Sequence, residues 1–197
     1  DLTPEPTPTT VTHLPRDPSD QSEVSVIERA VDMPLHQEAY LKAFNSSEDD
    51  GFGGEVAISG NTVLVGSSGE DSGGTGIDPE LYYPNSSNSG AAYVFVYEGS
   101  TWVQQAFLKA SNADSEDDFG RSVAIDENTI VVGASGESSN ATGINGNQLD
   151  NSLEGVGAAY VFVRDGTTWT QQAYLKASNA ERMDCFGTTV AISGNTI

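Results

Sequence analysis

The chain has 197 residues, and 29 acidic against 8 basic side chains give it a formal charge of −21. With no basic footprint to meet phosphates, the charge argues against nucleic acid and anionic membrane surfaces as partners, and no apolar run approaches the ~18 residues that cross a bilayer. Cys185 stands alone, which excludes an internal disulfide framework and a cysteine-based zinc site.

Residues 1–34 differ from the rest. Five of the eight prolines lie within the first 18 of these residues, at Pro4, Pro6, Pro8, Pro15 and Pro18, and Thr alternates with Pro from Thr3 to Thr10, with one Glu. Such a segment cannot bury apolar surface, so a disordered Thr/Pro-rich spacer is expected, with a glycosylated stalk as the sharper reading. Ser25 to Val31 is expected to form a short strand or helical turn. No basic and apolar leader follows Asp1, and Val190 to Ile197 stop inside a strand-like pattern, so the sequence reads as a fragment.

From residue 35 onward the chain repeats. Gln-Glu-Ala-Tyr-Leu-Lys-Ala at 37–43 returns at 104–110 with Gln105 and Phe107, and at 171–177 with Gln172. Leu41, Leu108 and Leu175 stand 67 residues apart, and the same interval carries Phe52-Gly53 onto Phe119-Gly120 and Phe186-Gly187. Tyr93 maps onto Tyr160 and Trp102 onto Trp169. Fixed-period self-similarity means units that bury their faces against one another. Residues 35–197 hold two complete units and a truncated third.

Each unit is expected to be all strand. In the second copy Ser122 to Ile125 and Thr129 to Gly133 are short apolar runs joined by Asp126-Glu127-Asn128; the first copy has Ser59-Gly60-Asn61 there, a good hairpin turn. A long polar loop runs from Ala134 to Gly157. A third strand, Ala158 to Val163, turns at Arg164-Asp165-Gly166 into a fourth, Thr168 to Ala177. Period-two alternation places Trp169, Gln171, Ala173, Leu175 and Ala177 on one face of that fourth strand. Four antiparallel strands per 67 residues describe a β-propeller blade, with neighbours covering both faces, and the ring is incomplete at this length. Gly-Ala-Ala-Tyr at 90–93 and 157–160 suits close backbone approach. A β-sandwich or a solenoid is the competing architecture.

Phe-Gly, then Ser-Val-Ala-Ile, then Ile-Val-Val-Gly-Ala-Ser resembles the FG-GAP repeat of integrin α-chain-like propellers, most closely its bacterial type. The resemblance covers residues 37–197. It implies a propeller, and it implies a calcium loop with alternating Asp residues between the first two strands. Here that place holds only Ser59-Gly60-Asn61 and Asp126-Glu127-Asn128, too short and too poor in carboxylates, so calcium is not assigned there.

Glu48, Asp49, Asp50, Glu116, Asp117 and Asp118 precede the Phe-Gly anchors and are the candidate metal ligands, with calcium the hard cation they would take. The plain alternative is a solvated acidic turn. Glu70 and Glu137, like Gly76-Ile77-Asp78 and Gly143-Ile144-Asn145, recur in the long loops and are expected to shape them. No catalytic or cofactor-binding residue is assigned. The two histidines, His13 and His36, lie in or beside the spacer, away from any Ser or Cys nucleophile of the repeats. Cys185 takes the place of Gly51 and Asp118. A carboxylate pair for glycoside cleavage stays open, since its geometry is not written in sequence. Trp102 and Trp169 suit packing at a strand start better than sugar stacking. Asn45, Asn85 and Asn140 lie in Asn-x-Ser/Thr sequons.

Two functions follow. One is a non-catalytic extracellular or cell-surface module for adhesion or ligand binding, with a protein or glycan as the ligand. The other is the accessory propeller of an exported hydrolase or lyase whose catalytic domain lies outside this sequence. A full ring of four to eight blades would need on the order of 270–540 residues, so the isolated chain is expected to self-associate through bare blade faces.

Overall fold

The computed structural model describes residues 37–81 and 87–197. The expected spacer, the Ser25–Val31 element, His13, His36 and Asn85 fall outside the described residues. Residues Glu38–Ile197 form one compact unit. It is built from β1 (Glu55–Ser59), β2 (Thr62–Ser67), β3 (Ala91–Glu98), β4 (Thr101–Leu108), β5 (Phe119–Asp126), β6 (Thr129–Ala134), β7 (Ala158–Asp165) and β8 (Thr168–Leu175), with no helix among the described residues.

Strands β1 to β4 make one antiparallel sheet in chain order, blade 1; β5 to β8 make the next, blade 2. β-branched and aromatic residues fill β2, β3, β6 and β7, and the two registers are copies: Val65 faces Tyr93 as Val132 faces Tyr160. Two-residue turns close the β1–β2 and β5–β6 hairpins, with Gly60 and Glu127 in the left-handed region.

The expected single face of the fourth strand is not observed. Phe162 pairs with Gln171 and Val161 with Ala173, so Gln172 is an extra, bulged residue, as Gln105 is in β4. A bulge reverses which side chains point to a given face beyond it. Trp169 before the bulge and Tyr174 after it therefore join the same core cluster, while Ala173 and Leu175 do not. Gln105 uses its position to tie the blades, its Oε1 accepting from Trp169 Nε1 at 3.0 Å and from Arg164 Nη1 at 3.3 Å.

The repeated Gly-Ile-Asp/Asn tripeptides guard the outermost strands. Ile77 bridges Leu108 and Ile144 bridges Leu175, beyond the outer edges of β4 and β8. Asp78 Oδ1 accepts from Phe107 N at 2.8 Å, and Asn145 Oδ1 accepts from Tyr174 N at 2.9 Å. The edge thus has its backbone groups partly paired by the chain's own loop, which removes a template for aggregation.

The Phe-Gly and Gly-Ala motifs turn out to be one joint. Gly90 pairs in parallel with Phe119 of the next unit, and Gly157 with Phe186. A Cβ on Gly90 would lie 2.0 Å from the Phe119 carbonyl oxygen, and one on Gly120 would lie 2.2 Å from that of Ala91. Only glycine lets two backbones cross so closely, and Gly90 also has φ 77°. Above this joint the blades stack, and Leu64, Val94 and Val96 of blade 1 share a core with Phe119, Val123 and Ile125 of blade 2.

Candidate functional site at the loop end of the blades

Antiparallel order puts the β2–β3, β4–β5 and β6–β7 connections at one end of the unit and the tight hairpins at the other. Beneath these loops each blade holds a buried polar network. In blade 1, Lys109 Nζ donates to Glu70 Oε2 at 2.6 Å and to Ser89 Oγ at 2.7 Å. Glu70 Oε1 accepts from Asn45 Nδ2 at 2.7 Å and from Ser72 N at 3.1 Å, while Tyr93 OH donates to Asn45 Oδ1 at 2.8 Å. Blade 2 repeats this. Lys176 Nζ meets Glu137 Oε2 at 2.5 Å, Asn112 Nδ2 meets Glu137 Oε1 at 2.9 Å, and Tyr160 OH meets Asn112 Oδ1 at 2.7 Å.

Burial gives the network its character. Lys109 and Glu137 are wholly enclosed, and Glu70 is 1% exposed. Desolvation pushes the Lys109 ammonium down in pKa, opposed by the charge of Glu70 and its hydrogen bond. Burial and the nearby carboxylates push the Tyr93 and Tyr160 hydroxyls up, so both remain proton donors. Asn112 follows β4 of blade 1 and bonds Glu137 and Tyr160 of blade 2, so that network also locks the two blades together; Asn45 takes the same place ahead of blade 1. This is what the repetition of Glu70 and Glu137 serves. The sequence reading missed Lys109, Lys176 and Asn112 and took Asn45 only as a sequon, although three of the 8 basic residues share one slot of the repeat, at Lys42, Lys109 and Lys176.

The six candidate metal ligands are placed in two separate turns. Asp50 is buried and its Oδ2 accepts from Ser47 N at 2.6 Å; Asp117 is buried and its Oδ2 accepts from Asp114 N at 2.8 Å. The third copy does the same, Asp184 Oδ2 accepting from Glu181 N at 2.7 Å. Here the carboxylate caps a corner in which Asp49, Gly51, Glu116 and Asp118 all have positive φ. Glu48, Asp49 and Glu116 are exposed and Asp118 is half-buried. Glu116 Oε2 accepts from Asn88 Nδ2 at 3.2 Å. Burial, with help from Glu137 and Asp114, raises Asp117 to about 7, and burial also raises Asp50 and Asp118. Among the described residues no three His, Cys, Asp or Glu side chains gather into a group that could hold a metal ion.

Of the other singled-out residues, Asn45 is consumed by the network and Asn140 is exposed. Trp169 is buried under Arg164, whose guanidinium carbon sits 5.1 Å from the ring centroid, so it packs rather than presents a face. Trp102 lies against Tyr97, with ring centroids 5.4 Å apart. Among the described residues no helix is long and apolar enough to cross a membrane.

Comparison with known proteins agrees with this anatomy. The chain matches no curated protein and no solved structure. The model of the FG-GAP repeat matches residues 35–95, 102–162 and 169–197, starting points 67 residues apart, as the blades are. A match over most of the sequence, with Phe-Gly and Gly-Ala meeting at the joint between blades, places this chain in the FG-GAP repeat family.

Proposed function

We propose that the chain is a non-catalytic binding module of an extracellular or cell-surface protein, and that its loop end carries the ligand surface. FG-GAP repeats are typically extracellular ligand-binding or adhesion modules, which supports the coarse reading. One observation carries the finer one. The scaffold repeats almost letter for letter, with Ala-Ala-Tyr-Val-Phe-Val in both β3 and β7, yet residues 79–89 share no identical residue in register with residues 146–156. Variation concentrated in one segment between repeated strands is how repeat folds acquire a specific surface. The Lys, Glu, Asn and Tyr groups repeated beneath the loops bond one another, so they hold the platform and leave recognition to the variable segments. A protein or glycan is the ligand class that a broad, polar, acidic loop surface suits.

The test is to screen the immobilised chain against a glycan array and a panel of extracellular proteins. Each hit is then repeated with residues 146–152 replaced by a Gly/Ser spacer of equal length. Binding that disappears with the loop supports the reading. Absence of any ligand up to about 100 µM, or binding indifferent to the loop, overturns it.

A further inference from the structure

Asn145 and Gly146 are the one Asn-Gly pair of the sequence, and they stand where the 146–152 loop leaves the outer edge of β8. The edge holds Asn145 at two points: its N donates to Tyr174 O at 2.8 Å, and its Oδ1 accepts from Tyr174 N at 2.9 Å. Beside it, Ile144 bridges Leu175, and Gly143 O accepts from Lys176 N at 2.8 Å. Asn145 itself is exposed, so water reaches it. Gly146 fits tightly, since a Cβ there would lie 2.9 Å from Ala141 Cβ. Blade 1 fills the two slots differently, with Asp78 and Pro79. Asp78 makes the same two bonds, with Phe107 N and O, from the same left-handed backbone, φ 45° against 55°. Pro79 has no N–H.

We infer that Asn145 is a deamidation site whose gate is the β8 edge, so that the modification marks chains in which this edge has opened. The chemistry needs only water. Gly146 N gives up its proton and bonds to Asn145 Cγ, the Cγ–Nδ2 bond breaks and ammonia leaves. Water then opens the five-membered imide at either carbonyl, to aspartate or to isoaspartate. Glycine favours the first step because no Cβ crowds its nitrogen. The clamp opposes it, because closing the ring swings Cγ toward Gly146 N and takes Oδ1 away from Tyr174 N. Reaction therefore follows local opening of the edge. The two products then part. Aspartate resumes the clamp, as Asp78 holds it in blade 1. Isoaspartate adds a carbon to the main chain ahead of the tightly held Gly146, and displaces the loop that Ser111 and Asn112 hold through Gln148. This gate lies at the root of the loop and works whether or not the loop binds a ligand.

The experiment incubates the whole chain at mildly alkaline pH, in buffer and in urea that unfolds it. Peptide mass follows each asparagine, and chromatography separates aspartate from isoaspartate. In urea Asn145 is expected to react before every other asparagine. In buffer it is expected to react at least about 10-fold more slowly than in urea. Asn145→Asp is expected to melt with the native chain, whereas the purified isoaspartate form is expected to be cut faster by protease within residues 146–152. Equal rates in buffer and urea overturn the inference, because no gate then exists. Another asparagine reacting first in urea overturns it as well. So does Asn145→Asp melting well below the native chain, or an isoaspartate form that resists protease as the native chain does.

Discussion

Blade 1 and blade 2 both carry Val-Ala-Ile on their first strand, at 56–58 and 123–125, in different surroundings. In β5 the Val and Ile are buried; in β1 they are exposed. Their polar networks differ too. Glu137 receives a hydroxyl from Tyr174, and the matching position in blade 1 is Phe107. A blade therefore does not own its burial. It shares one face with each neighbour, and its stability is a sum of an internal part and interface parts. Substitutions at equivalent positions separate these parts.

The largest effect is expected from the buried ion pairs. Lys109→Met leaves Glu70 enclosed with only Asn45 and Ser72 N as donors and should cost about 3–5 kcal/mol, because an uncompensated buried charge remains. Lys176→Met leaves Glu137 the side-chain donors Asn112 and Tyr174, the latter backed by Ser139 Oγ, and should cost less. Urea unfolding of the two variants measures the gap. Equal costs would mean that the Tyr174 hydroxyl does nothing for the charge.

Next in size is the face itself. Ile125→Ala should cost about 2–4 kcal/mol, since it opens a cavity between blades, whereas Ile58→Ala should stay within about 0.5 kcal/mol at concentrations where the chain is monomeric. Comparable losses at the two sites would contradict the difference in burial that separates the blades.

Most of this architecture could be foreseen, and the reasons are physical. A strand's period and a turn's glycine are local, so the four strands of each unit follow from Thr62 to Val65 or Ala158 to Val163 alone. The joint was half visible, because Gly90 and Gly157 implied a close approach, while its other side, Phe119-Gly120, stood 29 residues beyond Gly90 in the sequence. The bulge at Gln105 and Gln172 was invisible, since one extra residue leaves the alternation intact on either side and only its phase changes. The network stayed hidden for a different reason. Lys109 reaches Glu70 across 39 residues and Asn112 reaches Glu137 across 25, distances over which sequence carries no contact information without covariation. The acidic turns read in sequence as cation ligands by composition alone, and the backbone N–H groups that Asp50 and Asp117 accept from in the structure were not legible there.

Asp117 provides a pH-dependent contrast with a clear sign. Its folded pKa is about 7 and the ordinary value is 3.8. Below the ordinary value both states hold the proton and the group's contribution is complete. Between there and about 7 the unfolded chain has released the proton and the folded chain has not, so stability falls as pH rises; above 7 the loss is finished. Asp117→Asn keeps an oxygen for Asp114 N and cannot ionise. The variant should match the native chain at pH 4 and exceed it at pH 8, by on the order of 1–3 kcal/mol. Thermal melts across that range decide it, and parallel curves for the two proteins would mean that Asp117 ionises normally inside the fold.

The smallest effect tests whether blade 1 lacks something that blade 2 has. In blade 2 the Tyr174 hydroxyl bonds both Ser139 Oγ and Glu137 Oε1. In blade 1 the ring of Phe107 takes the same place, 5.0 Å from Tyr93 at 49°, against 5.3 Å and 53° for Tyr174 and Tyr160. Without the hydroxyl, the buried Ser72 Oγ has no hydrogen-bond partner. A buried hydroxyl left unpaired costs more than a paired one returns, so Phe107→Tyr should stabilise the chain by about 1 kcal/mol. The reverse change, Tyr174→Phe, should cost a similar amount or more, because it strips a donor from Glu137 as well. If the gain comes through Ser72, it must vanish in a Ser72→Ala background, where no orphan remains to be satisfied. A gain that survives Ser72→Ala would belong to the new bond with Glu70 alone. No gain in either background would mean that the serine is already satisfied, and that phenylalanine at this position costs blade 1 nothing.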